Sequence, residues 1–264
     1  MISFRRVLFS ISSRLDMLQQ KIINSIINRL KAVNHKQIKM FFYVPNPLNK
    51  YRIKTFSTKE PETLAWIDSF KKNSVFWDVG ANIGLYSIYA AKASSCKVFA
   101  FEPSVFNLEL LAKNININNL SLQIAIFPIA LSNKSGINLF QMNNPLWGGA
   151  LSTFGENYDQ HGDDFQATFD YSIPGITADK IIKLMSIPKP NYIKIDVDGI
   201  EHLILEGGSN ILKTVDSVII EINDNFDKQA NISEKYLLQS GLFLRDKFYL
   251  GSGNQYNQLW VREG

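Results

Sequence analysis

Val75-Phe76-Trp77-Asp78-Val79-Gly80-Ala81-Asn82-Ile83-Gly84, residues 75–84, decides the fold. A short apolar run meets an acid, Asp78, and stops at Gly80; Leu85 to Ala93 then reads as a helix. A strand that turns through glycines into a helix opens a parallel α/β sheet. The alternation continues downstream. Lys97 to Phe101 is a second buried strand ending at Glu102-Pro103, and Val105 to Asn118 is a helix with Leu108, Leu111 and Ile115 on one face. Strands are expected over Leu122–Ala130, Ile137–Phe140, Tyr192–Val197 and Val215–Ile222. Helices are expected over Asp179–Met185, His202–Leu212 and Ile232–Gln239. Leu242–Leu250 and Gln258–Arg262 read as two closing strands. Residues 143–175, rich in Gly, Asn, Asp and aromatics, have no sustained period and read as a long functional loop.

Upstream the character changes. Glu60-Pro61-Glu62 opens a helix through Phe70, with proline and acids suited to a first turn. Phe42 to Thr58, with Pro45 and Pro47, is a connecting segment. Residues 14–33 form one amphipathic helix: Leu15, Leu18, Ile22, Ile26, Leu30 and Val33 share a face, with Arg14, Lys21, Arg29 and Lys31 largely off it. Two uses compete for this helix. It packs on the domain or on its copy in a homodimer, or it makes peripheral contact with an anionic membrane. No basic–aromatic interleaving supports a nucleic-acid partner.

The bulk properties fit this division. With 264 residues, 45% hydrophobic and 20% charged, the chain is expected to hold one packed domain, residues 56–264, behind an N-terminal extension, residues 1–55. Residues 1–60 carry 12 Lys and Arg against Asp16 and Glu60, a balance of +10 in a chain of net +4, so the remainder is −6. A single cysteine, Cys96, precludes an intrachain disulfide and agrees with a reducing cytoplasm. No apolar stretch reaches the roughly 18 residues of a membrane span. Met1 to Ser13 resembles the head of a signal peptide, but its apolar part is short and no cleavage site follows.

Three elements carry chemistry. In the first, Asp78 stands where a nicotinamide-binding turn would have glycine, followed by Gly80-x-x-x-Gly84. Glycine lets backbone approach a ligand, and the helix start offers N–H groups to an anion. An acid beside an anion site suits a zwitterion, such as the methionine end of S-adenosylmethionine. The second is Glu102, an acid at a strand end that can accept from both ribose hydroxyls. The third is the run Tyr192 to His202, an apolar strand ending in Asp196, Asp198 and Glu201. These carboxylates could orient a hydroxyl, take its proton or hold a divalent cation, or could cap the next helix. Asp196 is expected to face the site. Lys194, flanked by Ile193 and Ile195, must pair with an acid if buried. His202 lacks any evident orienting partner.

Five ordered blocks resemble the FkbM family of S-adenosylmethionine-dependent methyltransferases: Glu60-Pro61-Glu62-Thr63, Phe76 through Ser87, Ala100-Phe101-Glu102-Pro103, Ala130 through Gly136, and Ile193 through Gly199. The resemblance runs from about Glu60 to Ile222 and leaves residues 1–55 outside. It implies a class I methyltransferase (Rossmann-like) fold, a seven-stranded, mostly parallel sheet with helices on both faces, and O-methylation of a sugar, glycolipid or related natural product. It places Asp78, Gly80, Asn82 and Gly84 at the methionine end, Glu102 on the ribose, and Ala130 and Leu131 near the adenine. The family more often has Glu where this chain has Asp198.

The expected reaction is in-line attack of a substrate hydroxyl, on a small molecule or glycan, with Asp196 as the base. Metal dependence is left open by the sequence. The alternatives are a non-catalytic S-adenosylmethionine-binding scaffold recruited through the N-terminal helix and a nicotinamide-dependent oxidoreductase. Trp147, Phe154, Tyr158, Phe165, Phe169 and Tyr171 are expected to cover the acceptor.

Overall fold

The computed structural model describes residues 2–251 and 253–263 and, within the first helix, the side chains of Arg14 and of Asp16 onward. The stretch that resembles a signal-peptide head therefore lies outside the described side chains, as does Leu15. Helix α1 (Ile2–Ile27) ends six residues short of the expected helix 14–33, and a hairpin takes over. In it, β1 (Leu30–His35) pairs antiparallel with β2 (Ile38–Tyr43) around Lys36, whose φ is 51°. Leu30 and Val33 fit the helical stripe, but Val33 is instead buried opposite Met40. Tertiary pairing overrides a period that either element satisfies. Among the described residues no helix is long and apolar enough to cross a membrane.

Three short helices follow: α2 (Pro47–Lys54), α3 (Phe56–Lys59) and α4 (Pro61–Asp68). Asn46 caps α2 by accepting from the Asn49 N–H, with proline in the first turn. Next come β3 (Val75–Val79), α5 (Leu85–Ser94), β4 (Lys97–Phe101), α6 (Val105–Ile117) and β5 (Ile124–Phe127). The third expected strand then breaks, and β6 (Ala130–Leu131) leaves the main sheet.

The span 143–175 is only partly a loop. β7 (Gly136–Met142), β8 (Ser152–Phe154) and β9 (Phe169–Ile176) join β6 in a second, four-stranded sheet ordered β6-β9-β7-β8. Every residue of β9 from Phe169 to Gly175 pairs with β7. β9 carries a period of two, Phe169, Tyr171 and Ile173 alternating with Asp170, Ser172 and Pro174, and Tyr171 and Ile173 are less exposed than those neighbours.

The chain closes with α7 (Ala178–Met185), β10 (Tyr192–Ile195), α8 (Glu201–Gly207), α9 (Ser209–Leu212), β11 (Ser217–Asn223), α10 (Asp227–Gln239), β12 (Phe243–Tyr249) and β13 (Gln255–Val261). The main sheet has seven strands ordered β12-β13-β11-β10-β3-β4-β5. Five of them run parallel, and β13 is antiparallel to both its neighbours.

Apolar side chains alternate to both faces of the sheet. Phe76, Val98, Tyr192 and Ile219 pack with α4, α5 and α6. Trp77, Ile193, Val218 and Ile220 pack with α7 through α10. On the first face Phe70 stacks on Tyr192 at 3.9 Å, and Trp66 donates to Ser217 at 2.8 Å. Strand order reverses between β3 and β10, which opens a crevice at their carboxyl ends.

Candidate active site

That crevice is a cavity of about 290 Å³. On one side stand Gly80 and Asn82 from the β3–α5 turn, Glu102 after β4, and Ala130 and Leu131 of β6. On the other stand Lys194, Asp196 and Asp198 around the end of β10 and Glu221 in β11. The helical segment before β3 adds Arg52, Lys59 and Glu60.

Gly80 is irreplaceable on geometry. Its φ is +85°, and a Cβ would lie 1.8 Å from the carbonyl oxygen of Asp196. The glycine thus lets β3 and β10 meet at the cavity floor. Gly84 also has a positive φ, +86°, but it faces away from the cavity. A Cβ there would meet Leu111 Cδ1 of α6 at 2.6 Å, so this glycine packs α5 against α6 and does not line the site.

Asp78 is likewise corrected. It does not line the cavity: it is buried beneath the turn, where its Oδ2 accepts from the Ser87 hydroxyl at 2.5 Å while Oδ1 has no partner. Burial pushes its pKa up, against the pull of Lys194 and Ser87. The parallel register places Asp78 beside Lys194, so both side chains leave the same sheet face.

The N–H groups of the turn are mostly spent within the chain. Gly80 and Ala81 both donate to the Phe101 carbonyl at 3.0 Å, and Asn82 donates to Glu102 Oε2 at 2.7 Å. Leu85 and Tyr86, which line the cavity, begin α5, where N–H groups have no carbonyl a turn earlier. Asn82 sits at φ +50° and donates its amide to the Gly149 carbonyl at 2.8 Å. Glu102 also accepts from Ser104 N–H at 2.8 Å. Burial raises its pKa to about 7, with these N–H donors working against the rise.

Across the crevice, Lys194 is buried and its Nζ lies 2.5 Å from Asp196 Oδ2. Burial opposes the ammonium most, but Asp196, Glu60 and Asp78 together raise its pKa. For Asp196 burial again opposes charge, yet Lys194 and Lys59 hold its pKa below the ordinary carboxylate value. Its side chain keeps 29% exposure. Asp198, at φ +64°, accepts from Leu151 N–H at 2.7 Å, and burial with Asp196 nearby raises its pKa to about 6. Glu221 is pushed well above the ordinary value by burial, then by Asp196, Asp198, Glu201 and Glu60.

Two sequence candidates are structural. Glu201 accepts from the N–H groups of Val197 and Gly199 and from the Gln229 amide, tying down the loop after β10. His202 is buried against Tyr158 and Phe226, and burial lowers its pKa to about 4. It is a neutral packing residue.

The loop after β7 does wall the cavity, but through Gly149, Ala150, Leu151, Ser152 and Phe154. Of the six expected aromatics only Phe154 lines it. Trp147 donates to Glu109, Tyr158 stacks on His202, and Phe169 packs on Phe106. Four amides and a guanidinium hold the loop: Asn46 and Asn49 donate to the Trp147 carbonyl, Asn82 and Asn107 to Gly149, and Arg52 Nε to Gly148.

The sequence does not single out Arg52, Lys59, Tyr86 or Glu221 for the site, and it marks Glu60 only as opening a helix. Glu221 carried a signal: it is the acid at the carboxyl end of a buried apolar strand, the same pattern that marks Asp196. Among the described residues no group of three or more His, Cys, Asp or Glu could hold a metal ion.

A family model described as "Methyltransferase FkbM domain" matches residues 78–251. The hexuronic acid methyltransferase AglP of Haloferax volcanii is 29% identical over 182 residues, covering 67% of this chain and 67% of its own length. Among solved structures, methyltransferase FkbM from Methylobacillus flagellatus KT matches with a TM-score of 0.51 and 14% identity. The match covers 94% of this chain and 60% of that one, and it is a likeness of fold.

Proposed function

The chain belongs to the FkbM methyltransferase family and is a methyltransferase, and on that premise we propose that it uses S-adenosylmethionine to methylate a hydroxyl oxygen of a sugar, a glycolipid or a related natural product. Family membership sets aside the scaffold and nicotinamide alternatives. One observation carries the reading. Glu102 and an ionised Asp196 line one cavity from opposite sides of the β3–β10 crevice.

The cofactor side lies along β3, β4 and β6. There Glu102, which already accepts from Asn82, Ser104 and Asn107, keeps about one of its four lone-pair sites for a ribose hydroxyl. The α5 start receives the cofactor's carboxylate. Ala130 and Leu131 give the adenine an apolar wall. Gly80 and Asn82 shape the approach of the methionine end. Asp78 and Gly84 act from beneath, through Ser87 and Leu111, by fixing α5.

The acceptor side lies along β10 and β11. The cofactor brings a methyl group activated by a sulfonium. The protein aligns the acceptor oxygen and excludes water. Asp196 takes the hydroxyl proton as the new bond forms. An oxygen that has gained a methyl group but kept its proton is far more acidic than any carboxylic acid. A carboxylate held below its ordinary pKa is therefore basic enough, and Lys194 keeps it ionised.

AglP is named for a hexuronic acid. Here Arg52 lines the same cavity and spends only its Nε on the chain. A guanidinium with free N–H groups suits a carboxylate, which makes a carboxylated sugar the first acceptor to test. The test is transfer of labelled methyl from S-adenosylmethionine to matched neutral and uronic-acid sugars. Wild type should label an acceptor and Asp196→Asn should lose turnover. Normal turnover by Asp196→Asn would reject its role as base.

A further inference from the structure

No described side chain of the N-terminal helix lines the cavity. The described side chains of the helix, Arg14 and those from Asp16 onward, are exposed, save a half-buried Ile27. Leu18, Ile22 and Ile26 repeat every four residues at 55%, 52% and 46% exposure, and Ile23 widens the band on the side away from Arg14 and Lys21. The three lie on one face over about 12 Å of helix. A band of this kind costs solubility unless something covers it.

Charge selects what covers it. Residues 1–59 hold 12 Lys and Arg against one acid, Asp16. Arg14 and Lys21 flank the band and are exposed, and Arg29, Lys31 and Lys39 stand exposed on the hairpin that follows. A second copy would press the same cationic flanks against each other. A surface of anionic lipid neutralises them while taking up the apolar band. Among the described residues no helix is long and apolar enough to span a bilayer.

We infer that α1 docks flat on an anionic membrane surface, with Leu18, Ile22 and Ile26 in the acyl boundary and the basic residues among the headgroups. The hairpin β1–β2 ties this helix to the domain: its β2 strand packs on α5 and α6. Docking therefore holds the catalytic domain at the surface.

The test is cosedimentation of the full chain with vesicles of phosphatidylcholine alone and of phosphatidylcholine mixed with phosphatidylglycerol. Binding should favour the mixed vesicles by at least about tenfold and weaken with salt. The triple variant Leu18→Asn, Ile22→Asn, Ile26→Asn should stay in the supernatant while keeping the thermal transition of the wild type. Arg14→Gln and Lys21→Gln should each weaken binding on the order of fivefold. They keep the test decisive if the triple variant fails to fold. Absence of vesicle binding, equal binding to both vesicle types, or a solution dimer dispersed by the triple variant without vesicle binding would each overturn the inference.

Discussion

Replacing Lys194 by methionine should cost about 3 kcal/mol of stability near pH 8, and less near pH 5.5. The side chain is 4% exposed and pairs with Asp196 at 2.5 Å. Coulomb's law at an effective dielectric of about 20 gives a gross attraction of ~7 kcal/mol at that separation. Much of this repays the desolvation of both ions. Deleting one partner strands the other, at roughly 3–5 kcal/mol, and the 29% exposure of Asp196 points to the lower end.

The pH dependence follows from the signs. The raised pKa of Lys194 stabilises the fold fully below its ordinary value near 10, and the lowered pKa of Asp196 stabilises it fully above its ordinary value near 4. Both contributions are thus intact between pH 5.5 and 8 in the wild type. Without the ammonium, burial pushes Asp196 and Asp78 up together, so acidification protonates them and relieves the variant. Urea denaturation at the two pH values reads this directly. A loss below about 1 kcal/mol at pH 8, or one that grows on acidification, would refute the electrostatic account of the β10 end.

Gly80→Ala should destabilise by at least ~2 kcal/mol, since its Cβ meets a backbone oxygen at a positive φ, while Gly84→Ala should cost less because its obstacle is the flexible end of Leu111; thermal melts compare the two. The pKa values of Glu102 and Glu201, raised to about 7, and of Asp198, raised to about 6, give stability that is present below their ordinary values and lost as pH rises through 6–7. Cofactor affinity should run the opposite way and weaken below about pH 7 as Glu102 takes up a proton, so denaturation midpoints and calorimetric titrations over the same pH series should diverge. Glu221 lines the cavity where burial and neighbouring acids disfavour its charge, so Glu221→Gln, which keeps hydrogen-bonding capacity without charge, should hold the acceptor KM within about threefold, whereas Glu221→Ala should raise it roughly tenfold.

The alternation from Val75 onward was legible because buried parallel strands leave short apolar runs that end in glycine or acid. The main sheet follows from those runs. The second sheet was overlooked because its strands are split by the irregular residues 155–168, although the alternation of Phe169, Tyr171 and Ile173 with Asp170 and Ser172 was a strand signal for β9. The end of α1 was hidden for a different reason: Leu30 and Val33 satisfy both helix and hairpin, and the pairing with β2 decides.

At the site, residue type singled out Glu102 and Asp196, acids that end buried strands, and both line the cavity. It could not say which way Asp78 turns. That depends on Ser87, nine residues later, which captures the carboxylate beneath the turn. Arg52 and Lys59 were invisible because nothing local in a connecting segment shows that it folds over a distant crevice.

The most direct test is calorimetric titration of the full chain with S-adenosylmethionine, beside Glu102→Ala and with NAD as the control. The account predicts one site for S-adenosylmethionine, affinity at least about tenfold weaker in Glu102→Ala, and no heat with NAD. A wild-type chain that does not bind S-adenosylmethionine, or a Glu102→Ala chain that binds it equally well, would contradict it.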